Sequence, residues 1–363
     1  MSADSIHGRG TGSNPKNRFV ALDVLPDPDA PPDDGQAPAT IFFRDTTRTA
    51  IATNDSPDIG FEASINPYRG CEHGCIYCYA RPFHEFLGFS AGLDFETRIM
   101  VKNDLPVLLR KELSSRKWKP KTISISGVTD AYQPVERRLR ITRACLEILA
   151  EFGNPVGIVT KSALVKRDAD ILAPMAAKNA AAVCLSITTL NNDLAGVMEP
   201  RASSPRARLD AIRELSAAGI PTGVMLAPLI PGLNDTEISE ILSAAAEAGA
   251  KFAAYTLVRL PLAVADLFQD WLTQHFPDRK EKILNRIRDL RGGKLNESEF
   301  GKRFAGVGIW DEQIRSLFEL SARRAGLSLS FPRLSTSWFR LPDSLALGAG
   351  PLGSRGLGQP TLF

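Results

Sequence analysis

Long apolar runs are missing from this chain. No stretch of about 18 consecutive apolar residues occurs, which excludes a membrane-spanning helix and leaves no expected membrane contact. Cysteine is scarce: five in 363 residues, with no charged-then-apolar leader ahead of them. That argues against the disulfide framework of a secreted protein and leads us to expect a cytoplasmic one. A strong excess of either charge is also lacking, at a net +3. Residues 1–60 hold 5 Lys/Arg against 9 Asp/Glu, and the remainder 39 against 32. A mildly basic body is compatible with a polyanionic partner, and an ordinary solvated surface accounts for the same numbers. At 44% hydrophobic and 23% charged, the composition is globular, and the length suits one large domain or two ordinary ones.

Against this scarcity, three of the five cysteines crowd into Cys71-Glu-His-Gly-Cys75-Ile-Tyr-Cys78. The spacing is C-x3-C-x2-C, inside a turn signalled by Pro67 and Gly70. Four-iron clusters are held by Cys thiolates and normally take four. Three leave one iron open to a small chelating molecule. A structural zinc would want a fourth ligand. His73 lies between two of the cysteines and is poorly placed to join them on one metal, and His84 is the only other histidine nearby.

Residues 1–40 read as a disordered tail, rich in Gly, Ser and Asn and then in Pro and Asp. Its basic piece Arg9-Gly-Thr-Gly-Ser-Asn-Pro-Lys-Asn-Arg18 reads as free chain or as a phosphate contact. A β-like run from Thr40 leads toward the core. Beyond it, apolar periodicity predicts strands at 61–65, 122–126, 156–160, 181–187, 222–226 and 252–258. Helices are predicted at 104–117, 139–152, 168–177, 204–218 and 235–248 between them. Strands alternating with helices imply parallel β/α units, with chemistry gathered at the C-terminal strand ends. Polar residues follow that rule: Ser126-Gly-Val-Thr-Asp130, Thr160-Lys161-Ser162, Ser186-Ile-Thr188-Thr189, Asn234-Asp235 and Arg259. Further helices are predicted at 261–276, 281–290 and 311–325. Residues 269–340 hold 14 Lys/Arg against 9 Asp/Glu, so this extension would cover the barrel mouth, bind a polyanion, or simply present a basic face. From Asp343 a Gly-rich tether leads to Gln359-Pro-Thr-Leu362-Phe363.

The cysteine loop, with Tyr77 just before its third cysteine, resembles the cluster loop of the radical S-adenosylmethionine (SAM) enzymes. Taken with SGVTDAYQP, TKS, SITT, EPR and PLIPGLND, it resembles the branch related to spore photoproduct lyase, over roughly residues 61–262. The resemblance implies an α/β fold: a partial (β/α)6 barrel of parallel strands at 41–262. A helical extension (263–342) and disordered tails (1–40 and 343–363) would complete the chain. It implies a [4Fe–4S] cluster on Cys71, Cys75 and Cys78. SAM would chelate the open iron and be cleaved to a 5′-deoxyadenosyl radical, with electrons from a flavodoxin- or ferredoxin-like donor.

By the same resemblance, Ser126 and Gly127 approach the SAM amino group, and Lys161 and Ser186 hold its carboxylate. Arg201 is a further carboxylate candidate, and Asp130 and Glu199 accept from ribose, amine or a partner arginine. A turn cap at Asp130 and a local Glu199–Arg201 ion pair are the structural alternatives. Cys145 falls on an apolar helix face and reads as a packed small hydrophobe. Cys184 shares the strand face of Ser186 and is either core packing or a hydrogen-atom donor. Tyr255 is a candidate radical relay. The position close behind the cluster loop that carries the lyase's donor shows no cysteine here. The substrate class expected is DNA in repair, with RNA, protein or a small molecule as the alternative, and a non-catalytic redox sensor as a third. The final pentapeptide resembles the Q-x-x-L-F peptides by which repair proteins bind the DNA sliding clamp, through Gln359, Leu362 and Phe363.

Overall fold

The computed structural model describes residues 6–20 and 38–342; the C-terminal pentapeptide lies outside them. Among the described residues, six parallel strands form the centre: β1 (Ala63–Ile65), β2 (Ile123–Ile125), β3 (Val156–Thr160), β4 (Ala181–Ser186), β5 (Thr222–Leu229) and β6 (Phe252–Leu257). They pair in chain order, each with the next. A doubly wound sheet would reverse direction partway, so an order that never doubles back is that of a barrel wall. Ala52–Thr53 adds an antiparallel edge beside β1.

Five helices alternate with the strands: α1 (Leu105–Leu113), α2 (Ile141–Phe152), α3 (Ala169–Ala176), α4 (Pro205–Ala217) and α5 (Ile238–Glu247). Their apolar stripes dictate the packing. Leu105, Leu109 and Leu113 of α1 are fully buried at four-residue spacing. Cys145, Leu149 and Phe152 of α2 are buried likewise, and Gly153 ends that helix in the left-handed region at φ +63°. Ser204 caps α4 by accepting from the Ala207 amide, with Pro205 at the first helical position. Buried Val183 and Leu185 of β4 and Val224 and Leu226 of β5 join these helices in one core. The alternate residues, Cys184, Ser186 and Gly223, take the other face.

The extension comprises α6 (Ala263–His275), α7 (Lys280–Leu290) and α8 (Gly308–Arg324). Leu267, Phe268 and Trp271 of α6 and Ile283 and Leu284 of α7 pack in one cluster with Cys75, Ile76 and Tyr77. The extension therefore backs the cysteine loop, while α8 packs against α5. The stretch after the loop had no expected structure. It folds as a 3-10 helix (Arg81–Leu87), a short helix (Leu93–Thr97) and a strand (Arg98–Val101), which pairs with Ile41–Arg44 in a separate small sheet. The run from Thr40 thus serves that sheet and not the barrel.

Residues 6–20 correct the expectation of a free tail. Gly10 donates to Glu96 Oε2 at 2.9 Å, and Leu93 donates to the Ser13 carbonyl at 3.0 Å. Asn17 donates to the Glu85 and Phe89 carbonyls at 2.9 and 2.8 Å. A Cβ on Gly10 would stand 1.7 Å from the Gly74 carbonyl oxygen, and one on Gly92 would stand 2.0 Å from that of Ser13. Both contacts are open only to glycine. The segment is a strap across the outer side of the cysteine loop.

Candidate active site at the barrel mouth

The cysteine loop follows β1 and is built to bend. Gly70 and Gly74 hold φ +79° and +68°, and a Cβ on Gly74 would meet Glu96 Oε2 at 2.7 Å. Two buried carboxylates anchor it. Glu96 pairs with Arg81 at 2.5 Å, both fully buried, and Arg81 also donates to the carbonyls of Gly74 and Cys75. Glu72 accepts from the Val135 amide at 2.7 Å and pairs with Arg201 at 3.3 Å. Cys71 and Cys75 are buried and Cys78 is half-buried. Burial, reinforced by neighbouring acidic groups, pushes the Cys71 and Cys75 thiols well above their ordinary range.

Burial also raises the Cys78 thiol, against the pull of Arg81. Protonated thiols in an apolar cradle release protons when a cation binds, so affinity for iron rises with pH. Among the described residues, no three His, Cys, Asp or Glu side chains converge as ligands of one ion. A cluster spreads its thiolates over several irons, one to each. The donor set, its burial and the glycine bend fit a cluster of that kind.

The strand ends beside the loop carry one charged network. Lys161 Nζ, beyond β3, reaches Ser186 Oγ at 2.7 Å, Thr188 Oγ1 at 3.1 Å, the Ala227 carbonyl at 2.8 Å and Glu199 Oε1 at 3.1 Å. Glu199 also accepts from the Tyr77 hydroxyl and from Arg208. Burial would raise the Glu199 carboxyl, yet Arg208 and Lys161 together hold it well below the usual carboxylate range. Asp130 accepts from Thr160 Oγ1 and the Lys161 amide, both at 2.7 Å, and faces His73 Nδ1 at 3.5 Å. Burial keeps His73 below its ordinary value, partly offset by Asp130.

The structure therefore brings together Tyr77, Asp130, Lys161, Ser186 and Glu199. Ser126 and Gly127 form the adjoining turn. Ser126 sits at φ +77° with its hydroxyl accepting from the Ala131 amide at 2.9 Å, and Gly127 packs against Ser64. Arg201 does not form the local ion pair with Glu199 that was the structural alternative for it: it faces Glu72 and Thr40 Oγ1, each at 3.3 Å. Glu199 is satisfied instead by Arg208, which the sequence reading passed over. The signal was present: Arg208, Ala211, Ile212 and Leu215 form one buried stripe of α4, and an arginine at a core position needs a buried partner. Cys184 lies on the Ser186 face, buried, with its thiol raised by burial. Tyr255 stands apart from the network. Its ring lies 4.6 Å from Phe318 of α8, on the helix side of β6.

A parallel barrel wall, a three-thiol loop behind its first strand and a lysine–glutamate–arginine network at the strand ends together make up the candidate site. The chain belongs to the radical SAM superfamily, whose family model matches residues 65–245. Enzymes of this superfamily use a [4Fe–4S] cluster and SAM and require an electron donor. An uncharacterised protein of Methanocaldococcus jannaschii is 30% identical over 227 residues, 62% of this chain and 81% of that one. An uncharacterised protein of Mycobacterium tuberculosis is 34% identical over 232 residues, 63% of this chain and 67% of that one. Spore photoproduct lyase with bound AdoMet and dinucleoside spore photoproduct superposes with a TM-score of 0.56 at 17% identity, covering 80% of this chain and 82% of that one. That likeness is one of fold. No helix among the described residues is long and apolar enough to cross a membrane.

Proposed function

We propose that the enzyme abstracts hydrogen from a nucleic acid, with damaged DNA the first substrate class. The observation that carries the site assignment is the Lys161–Ser186–Glu199 network beside the three-cysteine loop. In this reading Cys71, Cys75 and Cys78 hold the cluster, and Lys161, pinned by Ser186 and Thr188, presents its ammonium to the SAM carboxylate. The turn at Ser126 and Gly127 receives the amino group, with Asp130 fixing the Lys161 backbone. Arg208 and Glu199 act as positioning residues for Lys161 and Tyr77. When bound, the cluster and SAM supply a one-electron cleavage that yields a 5′-deoxyadenosyl radical. Cys184, whose raised thiol keeps its hydrogen, is the candidate hydrogen-atom donor. The nucleic-acid part draws on the fold likeness to spore photoproduct lyase and on the positive surplus of residues 61–363. Radical modification of RNA, a protein or a small molecule is the alternative.

Protein purified without oxygen, reconstituted with iron and sulfide and given SAM and dithionite should form 5′-deoxyadenosine. The Cys75→Ala variant should form none and hold less iron. Equal product from both would overturn the assignment. The proposed clamp contact rests on Gln359, Leu362 and Phe363. A labelled C-terminal peptide should bind purified sliding clamp by fluorescence anisotropy, and Leu362→Ala with Phe363→Ala should abolish it. Indistinguishable peptides would remove that partner.

A further inference from the structure

A second charged feature stands at the barrel mouth outside the Lys161 network. Arg259 follows β6 by two residues. Its guanidinium carbon lies 5.0 Å from the ring centre of Tyr79 and 4.6 Å from that of Phe304. Tyr79 is the residue directly after Cys78, and its hydroxyl donates to the Gly127 carbonyl at 3.0 Å. The guanidinium is thus fixed next to the cluster loop and next to the turn beyond β2. Among the described residues it has no carboxylate within ion-pair distance and no hydrogen-bond partner. The surrounding charge is positive. Arg291 donates to the carbonyls of Val258 and Ala305 at 3.0 and 2.8 Å. Arg303 stacks 5.1 Å from the same Phe304, and its charge is met by Asp58 at 2.7 Å. Asp58 thus pairs with Arg303 and acts on Arg259 only from beyond ion-pair distance, while Asp311 and Glu297 are the acidic groups that act on Arg291.

A buried-edge cation without an anion is costly, and proteins keep one where an anion is brought to it. Stacked arginine faces leave only the edge N–H groups for bonding, in the fork that matches two oxygens of a phosphate. Exposed aromatic surface adjoins both guanidinium groups: Tyr79, against Arg259, is 42% exposed, and Phe300, 4.7 Å from Arg303, is 59% exposed. Alternating guanidinium and aromatic groups suit a strand whose bases stack while its phosphates are held.

We propose that Arg259 is the anchor for a phosphodiester of a single-stranded nucleic acid, clamped by Tyr79 and Phe304 so that the neighbouring nucleotide lies over the cluster loop. This rests on the nucleic-acid reading above and adds the group that holds the substrate. The probe is a fluorescein-labelled 12-nucleotide single-stranded DNA of mixed sequence, titrated by anisotropy with cluster-loaded protein at several salt concentrations. Arg259→Met keeps an unbranched chain between the two rings and removes the charge; Arg259→Lys keeps the charge and loses the fork. Iron content and unfolding midpoint confirm that each variant is folded. We expect Arg259→Met to bind about tenfold more weakly, with the slope of log affinity against log salt reduced by about 0.7, one phosphate contact. Arg259→Lys should keep the slope and lose part of the affinity. Wild-type binding with an unchanged slope in Arg259→Met would overturn the anchor and leave the nucleic-acid reading standing. No binding by wild type at low salt would overturn both.

Discussion

Glu199 balances two cations, the buried Arg208 and the half-buried Lys161, with one carboxylate. Removing its charge leaves both uncompensated, which costs about 3–5 kcal/mol for a broken buried pair. The carboxyl is held below its ordinary value in the folded chain. Its stabilisation is therefore complete above the unfolded value of about 4.3 and is lost as pH falls toward the folded value. Denaturant unfolding should show wild type more stable than Glu199→Gln by that amount at pH 7. The difference should shrink as pH falls below about 4. A gap that stays constant from pH 7 to pH 3 would mean the carboxylate charge contributes nothing. At this scale the sequence was legible where a side chain's place follows from its own neighbours. Cys71, Cys75 and Cys78 share one loop by their spacing, and Lys161 and Ser186 stand at neighbouring strand ends, 2.7 Å apart. The Arg201 placement was not legible, because its partner Glu72 is 129 positions away and is chosen by the path of the loop.

Among the elements, most helices and strands were readable to within a few residues. Each has its own apolar period: α2 was expected at 139–152 and runs Ile141–Phe152, and β3 was expected and found at Val156–Thr160. The segment 79–101 was not readable. It is short, polar and aromatic by turns, and its strand Arg98–Val101 gains its partner only when Ile41–Arg44 arrives. The strap of residues 6–20 escaped for a related reason. It has no period, and its order comes from hydrogen bonds to Glu85, Leu93 and Glu96. Gly10→Val would drive a side chain into the Gly74 carbonyl. Limited proteolysis should then cut within residues 6–20 about tenfold faster than in wild type, the factor that 1.4 kcal/mol of lost docking produces. Unchanged cleavage would show that the strap is not held through Gly10.

The whole molecule closes a sheet that its strands leave open. Six strands do not complete a barrel, and the edge strands are β6, which Ser328 bridges at Phe252, on one side and Ala52–Thr53 on the other. Arg303 from the segment beyond α7 pairs with Asp58 of the loop at the opposite edge, and Gly301 donates to the same carboxylate at 2.8 Å. The extension that composition marked only as basic thus supplies both a backing for the cysteine loop and a bridge across the gap.

The strap gives the molecule an order of construction. Residues 6–20 leave the ribosome before the surface that receives them, which is made of residues 74–96 and exists only after those have emerged and folded. The earlier-made segment therefore has to wait for its place. Until it is seated, the outer side of the cysteine loop stays uncovered.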